Sequence, residues 1–169
     1  MGGKILSESG SFRALREAHS NLIQIWGFRG ENEFLSHFYP SPISAAGVNY
    51  PTVEHAYQAY MTLDMDWRRK IRKAGSPEEA KSLSRMSPIR PDKDNVKLEI
   101  MLALDKLKFE THPELLEKLK ATGHKTLVEG NVWHDNFWGD CRCSKCRNIV
   151  GQNHAGKILM KVRDELCYA

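Results

Sequence analysis

A series of helix-start signals between residues 52 and 113 constrains the fold more than anything else in this chain. Thr52 precedes Val53-Glu54-His55, Ser76 precedes Pro77-Glu78-Glu79, and Thr111-His112 precedes Pro113-Glu114. Ser and Thr oxygens accept from the orphan N–H groups of a first turn, Pro fits its first position, and Glu meets the positive end of the helix dipole. These signals predict helices over 53–63, from 77, and from about 111 to a stop at Gly123. Val96, Ile100, Ala103, Leu104 and Leu107 recur at spacings of four and three and predict one apolar face of a longer helix. A last helix is expected from about Asn153, with Ile158, Leu159, Val162 and Leu166 facing the core. Strand signals are short: Leu22 to Trp26 closed by Gly27, Val48 to Tyr50 ended by Pro51, and Thr126 to Val128. Phe34 to Pro42 reads as loop. The expected fold is α+β, mainly α: a single compact multi-helical domain with a small β-sheet over 21–169, preceded by a polar leader (1–20) with a short helix around Phe12 to His19.

With 41% apolar and 27% charged residues, the 169-residue chain is neither disordered nor collagen-like. No apolar run approaches the ~18 residues of a membrane span, and no signal pattern opens the chain, so no membrane partner and a cytoplasmic location are expected. The net charge of +4 is too small to indicate a nucleic-acid binder, but it is unevenly spread. Residues 67–97, from Trp67-Arg68-Arg69-Lys70 to Lys97, hold ten basic and four acidic groups. Such a stretch can attract a phosphorylated ligand, although a solvated helical face is its commoner origin.

Four segments carry chemistry. In Tyr50-Pro51-Thr52-Val53-Glu54-His55-Ala56-Tyr57-Gln58, Glu54 and Gln58 share a helical face, and His55 stands beside them at a rigid helix start. First-turn capping is the commoner reason for a glutamate at this position. Glu129 to Asp140 gathers Trp133, His134, Asp135, Phe137 and Trp138. An aromatic wall beside an acid suits a flat base whose bond to a sugar breaks through an oxocarbenium-like state; a loop packed over the core is the plain alternative. Cys143 and Cys146 have metal-knuckle spacing, but no second Cys-x-x-Cys follows, and Cys141, His134 or His154 would have to complete a zinc site. A cytosolic cluster of free thiols is the commoner reading. Gly151-Gln152-Asn153-His154-Ala155-Gly156-Lys157 opens the last helix, where backbone N–H groups bind anions or Asn153 acts as an ordinary N-cap.

In order, these segments resemble the NADAR (YbiA-like) family. The resemblance rests on Phe28-Arg29-Gly30-Glu31, Phe34-Leu35-Ser36-His37-Phe38-Tyr39-Pro40, Tyr50 to Ala59, Leu127-Val128-Glu129-Gly130-Asn131, Asp135-Asn136-Phe137-Trp138-Gly139 and Gly151 to Met160. It spans about Ile23 to Leu166 and implies a YbiA-like helical α+β domain and an N-glycosidase acting on N-ribosyl compounds. One family activity cleaves phosphoribosylamino-pyrimidine intermediates of riboflavin biosynthesis; another removes ADP-ribose from guanine in nucleic acid. Carried over, Glu54 and Asp135 are the expected catalytic pair, while Trp138, Gly30, Glu31, Phe38 and Asn153 fall in cleft-lining motifs. The chain departs from the family pattern at His37, where Asn is frequent, at Met61, where Lys is frequent, and at Lys93, where Trp is frequent. Met cannot form an imine and Lys cannot stack as Trp does, which tells against a lysine nucleophile at position 61.

The resulting expectation is a metal-independent hydrolase without a cofactor. Its partner is a small phosphorylated N-riboside or an ADP-ribose-type ligand, with nucleic acid entering only as an ADP-ribosylated substrate. Glu54 and Asp135 are expected to be catalytic. Arg29, Gly30, Glu31, Phe38, His55, Gln58, Arg90, Trp138, Gly139 and Asn153 are expected to bind substrate, with Arg85 and Lys93 as further phosphate contacts. The rival readings are an ADP-ribosyl-guanine hydrolase, a binding module impaired by Met61 and Lys93, and a zinc-stabilised interaction domain built on Cys141, Cys143 and Cys146.

Overall fold

In the computed structural model the described residues are 23–168, so the expected leader and its short helix lie outside them. Helix α1 (Val53–Tyr60) is the centre of the molecule: every residue from Val53 to Ala59 is buried, and Thr52 Oγ1 accepts from His55 N as its sequence predicts. It packs on α2 (Met65–Arg72), α3 (Pro77–Met86) and α4 (Lys93–Thr111). It stops at Tyr60 rather than 63 because Asp64 is already the cap of α2, its Oδ1 accepting from Asp66 N and Trp67 N. In α3, Ser76 Oγ accepts from Glu79 N, and Glu79 Oε2 returns to Gly75 N, one residue outside the expected capping-box partner.

The basic stretch divides between two settings. Of α2 only Ile71 is buried, and its cations form the solvated face that was the plainer expectation, Arg69 pairing with Asp66. Lys81, Arg85, Lys93 and Lys97, on α3 and α4, line a cleft instead.

The buried face of α4 differs from the predicted one. It consists of Met101, Leu104, Asp105, Lys108 and Phe109, while Ala103 is exposed and Val96, Ile100 and Leu107 are half-buried. An apolar periodicity count misses this face because two of its members are charged. Lys108, fully buried, donates to the carbonyls of Phe34 and Ser36 at 2.6 and 3.0 Å. Asp105, also fully buried, meets His37 Nε2 at 3.1 Å. These bonds tie α4 to the segment after a 3-10 turn (Gly30–Leu35) lying partly within the expected loop.

Helix α5 (Pro113–Ala121) begins after His112, since Thr111 still belongs to α4, and the chain then turns at Gly123 with φ +58°. Helix α6 (His154–Cys167) buries Ile158, Leu159 and Val162 as predicted, and packs on α4 and α5. The expected single sheet is instead three two-stranded ladders among the described residues. Strand β1 (Gln24–Trp26) runs parallel to β4 (Thr126–Val128) with Ile25 opposite Leu127. Strands β2 (Ile43–Ala45) and β3 (Val48–Tyr50) form a hairpin, and β5 (Gly130–Asn131) runs parallel to β6 (Asp140–Cys141). Among the described residues no helix is long and apolar enough to cross a membrane.

Burial alone favours neutral His37, but the charge and hydrogen bond of Asp105, helped by Glu129 and Glu54, reverse this and raise its pKa from 6.5 to about 9. The folded state therefore holds that proton more tightly than the unfolded chain between these values. The resulting stability is complete below 6.5 and is lost as pH rises through about 9. In urea melts across this range, wild type should exceed His37→Asn by a constant margin at low pH that disappears above about 9.

Candidate active site

Helix α1, α3, the start of α4 and the segment 129–138 enclose a cleft of about 500 Å³, ample for a nucleotide-sized ligand. Of the polar side chains of α1, Glu54, Tyr57 and Gln58 line this cleft. Glu54 and Gln58 are at most 9% exposed, and Gln58 Nε2 donates to Glu54 Oε1 at 2.7 Å. The Glu54 amide donates to the carbonyl of His37, so the helix start and the His37 segment form one wall. Tyr57 adds an aromatic surface, edge-on to Trp138 with centroids 5.4 Å apart; Phe137 meets Trp138 at 5.1 Å, also edge-on.

The opposite wall is the acidic, aromatic segment. Asn131, fully buried, shapes it: its Oδ1 accepts from the amides of Trp133 and Asp135, and its Nδ2 donates to the Asp135 carbonyl. Asp135 Oδ1 accepts from Phe137 N and Trp138 N at 3.1 and 2.8 Å, which fixes its carboxylate at the cleft. Glu129 also lines the cleft. Its Oε2 is buried without a hydrogen-bond partner, and burial, reinforced by the charges of Asp135 and Glu54 and opposed by His37 and Lys81, pushes its carboxyl pKa up. An acid pushed towards its protonated form beside other carboxyl groups is what general-acid catalysis uses.

Lys81, Arg85, Lys93 and Lys97 supply cations along the cleft. Lys97 bonds Asp94 and lies 4.2 Å from the Phe137 ring centre; among the described residues the other three have no ion pair. Three carboxyl groups, an aromatic wall and several cations can hold a flat base and a sugar phosphate while the bond from base to sugar is hydrolysed.

The structure brings Glu54, Gln58, Phe38, Asp135 and Trp138 together, along with Arg85 and Lys93 and the departing residues His37 and Met61. It places the other expected site residues elsewhere. Arg29, Gly30 and Glu31 are exposed and do not line the cleft. The His55 ring is buried between Thr52 Oγ1 and the Ala74 carbonyl, and so secures the helix start. Arg90 is occupied by Asp92 and the Tyr60 carbonyl. Asn153 has φ +52° and makes no side-chain cap; its amide bridges the Leu127 carbonyl and the Glu129 amide, holding β4 to α6. Gly139 packs directly on the Glu129 backbone, where a Cβ would overlap the Glu129 carbonyl oxygen. The residues missed by sequence reasoning are Glu129, Tyr57, Lys81 and Lys97. Glu129 stood in a motif, but nothing local distinguishes an acid with one buried oxygen from a turn carboxylate.

Known proteins resemble this chain over most of its length. The family model described as "NADAR domain" matches residues 25–167. The chain is 34% identical over 159 residues to "N-glycosidase YbiA" of Escherichia coli (strain K12), covering 91% of this chain and 96% of that protein. The NMR structure of the E. coli protein YbiA superposes with a TM-score of 0.73 at 33% identity, over 85% of this chain and 83% of that one. "N-glycosidase Npun_R5314" of Nostoc punctiforme is 41% identical over 136 residues, 78% of this chain and 83% of its own. "Riboflavin biosynthesis protein VVA0006" of Vibrio vulnificus is 36% identical over 135 residues, 79% of this chain but 35% of its own length.

A methyl at position 139 would separate the Asp135–Trp138 wall from Glu129. Gly139→Ala should therefore cost about 2 kcal/mol in a denaturant titration, by overpacking.

Proposed function

The chain belongs to the NADAR family, and from that footing we propose that it hydrolyses N-glycosidic bonds of phosphorylated N-ribosides, with a ribosylamino-pyrimidine phosphate as the substrate class. The observation that carries the mechanism is Glu129, a cleft-lining acid with an unpartnered buried oxygen and a carboxyl pKa raised by burial. The names of the N-glycosidase relatives support the bond type, and the name of the Vibrio vulnificus relative, of which the chain covers 35%, points to riboflavin biosynthesis as the setting.

Glu129 donates its proton to the departing nitrogen as the C1–N bond breaks. Positive charge then builds on the ribose ring, where the Asp135 carboxylate, held by two amide donors, stabilises it. Water adds to C1, its oxygen forming the new bond and its proton passing to Glu54, which Gln58 holds in place. The products are ribose 5-phosphate and the free amino-pyrimidine. Phe38, Tyr57 and Trp138 wall the base, and Arg85 with Lys93 pairs the phosphate. Met61 offers no amine on this wall, so water is the nucleophile. Four free thiols suit a reducing cytoplasm.

The decisive assay supplies a ribosylamino-pyrimidine phosphate, NAD and ADP-ribosylated guanine in separate reactions and reads products by mass spectrometry. Ribose 5-phosphate from the first is expected. ADP-ribose from the last alone transfers the proposal to modified nucleic acid, and binding without product would make the chain a nucleotide-binding module. Glu54→Gln and Glu129→Gln should each lower kcat about 10²- to 10⁴-fold while the fold persists.

The cation rim and the acid give two further expectations. Arg85→Ala combined with Lys93→Ala should raise KM mainly, since neither residue meets the reacting bond. Because Glu129 acts protonated, kcat should fall as pH rises above its elevated pKa, and Glu129→Gln should lack that decline.

A further inference from the structure

At its outer edge the second wall, through His134, joins a cluster that the proposed reaction does not use. We propose that His134, Cys141, Cys143 and Cys146 form a structural zinc site. Their four ligand atoms all lie within 4.8 Å of one another. His134 Nδ1 is 3.1 Å from Cys143 Sγ and 3.4 Å from Cys146 Sγ. With Zn–S near 2.3 Å and Zn–N near 2.0 Å, a tetrahedral ion needs S···N separations of about 3.5 Å and S···S of about 3.8 Å. The cluster is already close to that size.

Two features show that the arrangement is held in place. His134 has φ +68°, in the left-handed region that histidine enters more readily than most residues, and the Asn131 side chain holds this turn by bonding the amides on either side of His134. N–H donors also point at the sulfurs: Asn136 Nδ2 at Cys146 Sγ (3.2 Å) and the His134 amide at Cys141 Sγ (3.3 Å). Such donors stabilise metal-bound thiolates and orient them. In the sequence, Cys141, His134 and His154 are the candidates for the two ligands that Cys143 and Cys146 leave open. Folding supplies them, because β6 carries Cys141 back beside β5 and the loop that bears His134. His154, the other candidate, bonds Gln152 and packs on Phe137 instead.

On binding, the three thiols release three protons to solvent, the imidazole remains neutral, and three thiolates with Zn²⁺ leave a net charge of −1. Three sulfurs and one nitrogen fill a tetrahedron, so the ion has no open position and serves to crosslink. The crosslink joins β6 and the following turn to the residue beside Asp135, and so secures the cleft wall. This inference is independent of the reaction proposed above.

The test uses the full chain, purified under reducing conditions with zinc supplied. Elemental analysis should find about one zinc per chain, and less than about a fifth of that in Cys143→Ser and Cys146→Ser. Cys167→Ser and Glu54→Gln should keep the metal, which separates failure of the site from failure of the enzyme reading. In the zinc-loaded protein only Cys167 should alkylate, and all four thiols should do so after a chelator. Cobalt in place of zinc should give the strong visible bands of a tetrahedral thiolate site. These wild-type measurements decide the matter even if a serine variant misfolds. Zinc far below stoichiometry with four equally reactive thiols, or a disulfide among Cys141, Cys143 and Cys146 that persists through purification under reducing conditions, overturns the assignment.

Discussion

The fold depends on a fully buried ammonium. Removing Lys108 from water costs several kcal/mol, and its bonds to the Phe34 and Ser36 carbonyls are what make its position tolerable. Burial pulls its pKa down to about 8, against the nearby Asp105 charge. One turn earlier on the same helix, Asp105 holds His37, whose carbonyl in turn receives the Glu54 amide. A chain of polar contacts thus runs from α4, through the 34–38 segment, to the first turn of α1. The position of Glu54 rests on a lysine that never reaches solvent.

The cleft gains its chemistry from unequal environments for similar groups. Glu129 is half-buried, with one oxygen buried and unpartnered, and is pushed towards its protonated form, while Glu54 is bonded to Gln58 and Asp135 is fixed by backbone amides. His37 adds a buried positive charge near two of them. Three carboxyl groups in one cleft can therefore take different roles. Small residues set their separation: Gly139 rests on the Glu129 backbone and Gly156 on the Leu127 carbonyl, contacts that any Cβ would prevent.

Much of this architecture was legible in the sequence where the physics is local. The Thr52 and Ser76 caps, the proline at the start of α3 and the apolar face of α6 are properties of a few adjacent residues, and each behaves as its pattern predicts. The buried face of α4 was not legible. Asp105 and Lys108 look like ordinary solvated helix positions until their partners, about seventy residues away, are placed. Likewise, Asn153 has the identity of an N-cap, yet its left-handed backbone and its bridge between two strand-end groups give it another task.

The crowd of aromatic and sulfur residues between 133 and 146 shows where the division falls. By itself the sequence determined that the chain is a helical α+β domain, that Glu54 opens a rigid helix, and that an acid with an aromatic wall stands some eighty residues later. It could not say which acids share a cleft, which cations turn towards it, or that His134 joins three cysteines. Those are distances between residues remote in sequence. Only packing decides them, because α1 must be enclosed on every side before its glutamate faces a ligand instead of water.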